Sequence, residues 1–177
     1  FRHGLFALYF WYLLDQDETI KNKLFYSFVI VYSCLILDGF TQYFVGKNIL
    51  GWPIGGSGRI SSFFGNELIL GSYLSRLFPL IFCLLILIDN KKFKFVKLIF
   101  IFTLFLATDT LIFLSGERTA LFLINLSTFY IIFFVKKFKY LRLATYLIAI
   151  VLIIFISSIN STAKNRVFDH TFQQMGL

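Results

Sequence analysis

Arg59, Arg118, Arg166 and His170 are the residues of this 177-residue chain whose types suit work on a phosphate-linked substrate. A guanidinium grips two phosphate oxygens at once, so arginine is expected where a diphosphate is held and its charge stabilised as it leaves. Arg59 follows Gly51, Gly55, Gly56 and Gly58 within residues 51–76, GWPIGGSGRISSFFGNELILGSYLSR. Glycines of this density let the main chain approach another group closely; the plainer alternative is a flexible connector between membrane spans. His170 lies four residues after Arg166, one helical turn away,. A neutral imidazole there suits removal of a proton from a sugar hydroxyl, and a solvated loop histidine is the plainer reading.

Acidic residues accompany the arginines. Glu67 follows Asn66, a good N-cap, and Glu117 follows Gly116, so both suit the first turn of a helix whose unpaired N–H groups also attract anions,. No acidic pair with Mg²⁺-binding spacing occurs beside them, so the expectation is chemistry without metal or cofactor, with arginine neutralising the leaving charge. Asp38, near the end of an apolar run, is a supporting candidate. Arg76 and Asp109 lie inside apolar runs, where a charge is costly, and are expected to pair with each other,. Such a pair either locks two helices together or lines a substrate path. Pro79 removes the helical hydrogen bond to the Ser75 carbonyl and suits a span beside a polar cavity.

The elements that must position these residues follow from composition. The chain is 58% hydrophobic and 20% aromatic, with a mean hydropathy of +0.80, which places it among integral membrane proteins. An all-α, polytopic transmembrane bundle is expected. The net charge of +8 falls in clusters between apolar runs and forms no single basic face, which excludes nucleic acid as a partner,. Cys34 and Cys83 lie inside apolar runs without metal-ligand spacing and read as small core or lipid-facing residues,.

Apolar runs at 24–40, 68–88, 98–114, 120–135 and 143–159 predict about five full spans, and 5–14 a truncated first span,. The chain thus reads as a single transmembrane region over residues 1–177, a fragment of a larger membrane enzyme. One set of connectors carries ten lysines and arginines (Lys21, Lys23, Lys91, Lys92, Lys94, Lys97, Lys136, Lys137, Lys139 and Arg142). The alternate set carries five (Lys47, Arg59, Arg118, Lys164 and Arg166). The positive-inside bias puts the first set in the cytoplasm and the loops 41–66, 115–119 and 160–177 on the opposite face, each with one arginine.

Three phrases in this order, DGFTQYFVGKNILGWPI (38–54), RISSFFGNELILGSYLSRLFPL (59–80) and FLSGERTALFL (113–123), resemble the bacterial O-antigen polymerase and ligase family. The resemblance implies a C-type glycosyltransferase of the inner (cytoplasmic) membrane. Such an enzyme transfers a glycan from an undecaprenyl-diphosphate-linked donor to an acceptor glycan or lipid A core at the periplasmic face, without a metal. By the same resemblance, Arg59 and Arg118 bind the donor diphosphate, and Arg166 and His170 act as a further binding residue and the base. The family's complete members have about twice as many spans. The other readings are a transporter or flippase of lipid-linked saccharides, which needs polar groups spread through the membrane depth, and a membrane scaffold without a reaction.

Overall fold

The computed structural model describes residues 18–55, 58–87, 95–136 and 138–159, with the isolated positions 4, 9, 12 and 15. The expected truncated span at 5–14 and the segment carrying Arg166 and His170 lie outside these described residues. Among them the chain forms five α-helices: α1 (Glu18–Val45), α2 (Leu70–Leu87), α3 (Phe95–Ser115), α4 (Arg118–Phe134) and α5 (Lys139–Ile159), with a 3-10 turn at Ser62–Phe64 between α1 and α2. An apolar segment in lipid has no water to satisfy its N–H and C=O groups, and the helix pairs them within the segment. α1, α2, α3 and α5 are long and apolar enough to cross a bilayer. α4 has 17 residues and extends about 25 Å, short of the ~30 Å hydrocarbon core.

α3 sits in the middle and touches all four other helices. It is the most buried of the long apolar helices and α5 the least. Between α2 and α3 the core is aromatic: the Phe105 ring lies 5.0 Å from Phe78 and 5.8 Å from Phe82. α1 approaches α3 closely at Gly39, where a Cβ would stand 2.8 Å from a Leu111 methyl carbon. α1 is tied to α2 by the Tyr32 hydroxyl, which donates to the Leu74 carbonyl at 3.1 Å. Cys34 and Cys83 are free and exposed on apolar helix surfaces.

Four helices begin or end beyond the runs seen in the sequence, and two of these extensions matter for the site and the core. α1 continues to Val45, so the expected loop from residue 41 starts at 46, because Asp38 and Gln42 find partners in the folded loop and need no water. α5 begins at Lys139 and takes in Arg142, which the sequence places in a cytoplasmic connector.

Arg142 is fully buried and is the partner that Asp109 takes. Its NH1 donates to Asp109 Oδ2 at 2.7 Å and its NH2 to Oδ1 at 2.9 Å. Nε donates to Thr128 Oγ1 at 3.1 Å, NH2 donates to the same oxygen, and the guanidinium carbon lies 4.4 Å from the Phe78 ring centre. The expected Arg76–Asp109 pair is therefore corrected: Arg76 is exposed on α2, whereas Asp109 faces α5. The cleft beside Pro79, about 420 Å³, is lined by Phe82, Cys83, Ile86 and Tyr130 and is apolar, unlike the polar cavity expected there.

Removing one member of the Asp109–Arg142 pair leaves a buried charge unpaired, at a cost of about 3–5 kcal/mol, whereas replacing both with apolar residues avoids it. Arg142→Leu and Asp109→Leu should each sharply lower thermal stability in detergent, and the double variant should recover most of the loss. Arg76→Leu should change stability by less than about 0.5 kcal/mol. Strict additivity of the two single losses would refute the pair.

Candidate functional site

The end of the bundle where α1 stops and α2 starts carries a loop, described over residues 46–55 and 58–69. Two polar residues one turn apart on α1 hold it. Asp38 accepts from the Ile49 amide at 2.8 Å and the Ser62 hydroxyl at 2.6 Å. Gln42 Oε1 accepts from the Ser61 and Ser62 amides at 3.0 and 2.8 Å, and its Nε2 donates to the Pro53 carbonyl at 3.5 Å. Asn48 then closes a small hairpin: Nδ2 donates to the Ser62 carbonyl at 3.0 Å, and Oδ1 accepts from the Trp52 amide at 2.7 Å. Ser62, the shared partner, is buried and has a left-handed φ of 53°. A non-glycine residue keeps that conformation only where its surroundings impose it. This loop is the glycine-rich stretch that the sequence leaves open as a flexible connector, and its hydrogen bonds fix it to α1.

Arg59 lies where this loop meets the α3–α4 turn. Its Nε donates to the Ser115 carbonyl at 3.0 Å and its NH2 to the Leu68 carbonyl at 3.3 Å. The guanidinium also stands 3.8 Å from Glu117, with the side chain 25% exposed. The two carbonyls hold the side chain in one position and satisfy the last carbonyl of α3, which has no intrahelical donor.

Glu117 is at the N-cap position of α4, yet its carboxylate makes no hydrogen bond within that helix. It crosses instead to the start of α2. Glu117 Oε1 accepts from the Gly71 amide at 2.8 Å and Oε2 from the Ser72 amide at 3.0 Å, and the Ser72 hydroxyl also donates to it. The first intrahelical bond of α2 runs from the Tyr73 amide to the Ile69 carbonyl, so Ile69 is the N-cap and has no side-chain acceptor to offer. Glu117 therefore does the capping from another helix, on the second and third amides, where a negative charge also meets the positive end of the dipole. Gly71 makes this approach possible, since a Cβ there would collide with the Ser115 hydroxyl and press on Glu117 and Ala120.

These contacts revise the expectations for the acids. Asn66 is not an N-cap and Glu67 is not in a first turn: both are exposed in the turn before α2, where the Glu67 amide donates to the Phe64 carbonyl at 3.0 Å. At the N-terminus of α2 the Gly71 and Ser72 amides are taken by Glu117 and are not open to a phosphate. Arg118 is exposed at the first position of α4, one residue from the carboxylate that Arg59 faces. The structure thus brings Arg59, Glu117 and Arg118 to one end of the bundle, with Asp38 beneath the loop. Asp109 and Arg76 lie elsewhere. Asp109, Asn125 and Tyr146 border a cleft of about 240 Å³ between α3, α4 and α5, where the Tyr146 hydroxyl donates to Asn125. Among the described residues, no three His, Cys, Asp or Glu side chains are grouped as metal ligands.

The fold and this site define a helical membrane protein with several apolar helices long enough to span, and a polar loop at one end of the bundle. No protein-family model, curated protein or solved structure matches the chain.

Glu117→Ala should cost about 2 kcal/mol through lost capping and charge-assisted hydrogen bonds, and Glu117→Gln less, because one oxygen still accepts. Hydrogen exchange read by mass spectrometry should speed up at the Gly71 and Ser72 amides in the alanine variant. Unchanged exchange there would show that the cap contributes nothing.

Proposed function

We propose that the chain is the membrane region of a glycosyltransferase of the O-antigen polymerase or ligase type, with a C-type glycosyltransferase-like bundle of about five full spans and a truncated first. It acts on an undecaprenyl-diphosphate-linked glycan at the periplasmic face of the bacterial inner membrane. The observation that carries this reading is the meeting of Arg59 and Arg118 at a single turn, since the phrases behind the family resemblance are the segments that supply them. With Arg142 buried in the bundle and removed from the charge count, nine basic residues still oppose five. That bias supports a periplasmic loop end.

In the proposed reaction an acceptor sugar hydroxyl attacks the anomeric carbon of the donor. The new carbon–oxygen bond forms as the bond to the diphosphate breaks, and the lipid diphosphate leaves with the electron pair. The hydroxyl proton passes to a base, for which His170 is the candidate. Arg59 and Arg118, with Arg166, stabilise the charge that grows on the diphosphate, which speeds the reaction to the extent that the contacts strengthen in the transition state. Glu117 keeps Arg59 in place. The acceptor is a second glycan in a polymerase and a lipid A core in a ligase.

A second reading, a carrier or flippase of lipid-linked saccharides, is favoured by the cleft that Asp109, Asn125 and Tyr146 border at membrane depth,. Purified protein given a polyprenyl-diphosphate glycan and an acceptor, with and without EDTA, separates the two. A transferase forms a new glycosidic bond and keeps doing so in the chelator. A carrier forms none. Arg59→Ala and Arg118→Ala should each lower the rate, compared at equal folded fraction, by roughly one to two decades, from lost contacts of about 1.5–3 kcal/mol. Lysine should restore the rate only in part, because a point charge lacks the planar fork. Unchanged yield in both alanine variants would remove the diphosphate site.

A further inference from the structure

The hairpin at the start of the loop has an unusual surface. Lys47 bridges Pro53, and between them Ile49, Leu50 and Trp52 project outward with 66%, 59% and 44% of their surface exposed. Phe44 and Val45 at the end of α1 are exposed beside them. A monomer in water rarely gathers large apolar side chains in this way.

The hydrogen bonds give the hairpin its level. Asp38 accepts from the Ile49 amide, and Asp38 is seven residues before the end of α1, so the tip folds back about 10 Å along the helix. The bond from Tyr32 to Leu74 sets Tyr32 and Leu74 side by side. One turn further along each antiparallel helix, Leu70 is level with about residue 36 of α1. The tip thus lies about level with the start of α2, where that spanning helix begins.

Its backbone is also suited to leaving water. The amides of Asn48 and Gly51 donate within the hairpin at 2.9 Å each, to Trp52 and Asn48 carbonyls, and the Ile54 amide donates to Gly46 at 3.1 Å. The Ile49 and Trp52 amides are held by Asp38 and Asn48 side chains. Pro53 has no N–H to satisfy. A segment at lipid depth must pair its backbone groups within the protein, and these five amides are paired in that way, while the Leu50 amide at the tip, at the level of the headgroups, is not. Lys47, exposed at its base, can reach headgroup phosphates, and the Trp52 ring lies against Gly65, whose Cβ would stand 3.1 Å from it,.

We infer that the hairpin 47–53 inserts Ile49, Leu50 and Trp52 into the bilayer at the headgroup–acyl boundary of the leaflet nearest the loop. Phe44, exposed beside the hairpin, belongs to an apolar face of α1 that also exposes Ile30 and Leu37. Tryptophan favours this boundary because it is apolar with one polar edge. The hairpin thereby ties the loop that carries Arg59 to the lipid surface. This inference stands whether or not the transferase reading does.

The test uses the full chain with Trp11→Phe, which leaves Trp52 as the single tryptophan, in phosphatidylcholine vesicles. Lipids brominated on the acyl carbons nearest the headgroup should quench Trp52 emission, and aqueous acrylamide should not. Leu50→Asp should reverse both results. Strong acrylamide quenching without lipid quenching would place the tip in water and overturn the inference. Protection from both quenchers would mean that protein covers it, a second copy or another segment, and would overturn it equally. Should the tryptophan variant fail to fold, a spin label at Leu50→Cys in a Cys34→Ala, Cys83→Ala background reads the same property. Collisions with oxygen should exceed those with a water-soluble nickel complex, and the opposite order would overturn the inference.

Discussion

A helix that ends near the edge of a bilayer presents amides that neither lipid nor its own backbone can satisfy, and the loop end of this protein is built around that constraint at α2. Ile69 occupies the N-cap without an acceptor, so a carboxylate must come from elsewhere, and Glu117 brings it from the start of α4. One side chain therefore fixes the distance between two helices. Because Arg59 faces the same carboxylate and donates to the end of α3, the position of the loop depends on that cap as well. Gly71 is the residue whose small size admits the whole arrangement.

The other end of the design is a charge pair in the interior. Buried ion pairs seldom add stability over well-packed apolar residues, since desolvation offsets the attraction. The Asp109–Arg142 pair instead selects one arrangement: two parallel hydrogen bonds, Thr128 on a third side and the Phe78 ring on a fourth leave the guanidinium a single seat among α2, α3, α4 and α5. Apolar contacts between lipid-facing helices tolerate sliding, and this pair removes that freedom.

The sequence made the helices legible because runs of Ile, Leu and Phe long enough to cross lipid have few other conformations open to them. Their ends were less legible. Residues 38–42 read as the close of a span because Asp38 and Gln42 are polar, and only the loop folding back onto α1 reveals that both are paired. By charge Arg142 groups with neighbouring lysines, while its place at the start of an apolar run is the available sign that it belongs to the bundle. The pairing of Asp109 turned on which helix faces α3, and spacing along one chain carries no such information. Arg59 and Arg118 stand out by type and setting, and the structure brings both to the α3–α4 turn. The role of Glu117 as a cap for a different helix has no local signature, since the helix it serves begins 47 residues earlier in the chain.

The separation of 33 residues between Asp109 and Arg142 bears on how the protein is made. During synthesis α3 reaches the insertion machinery carrying a carboxylate whose counter-ion has not yet been translated, and an aspartate within an isolated helix opposes insertion, by as much as about 2.5–3.5 kcal/mol at the helix centre. α5 later arrives with the complementary burden. Neither helix is at ease in lipid alone, and both are once they meet. The three helices from Phe95 to Ile159 therefore have reason to wait beside the translocon and enter the bilayer together, as one delivery.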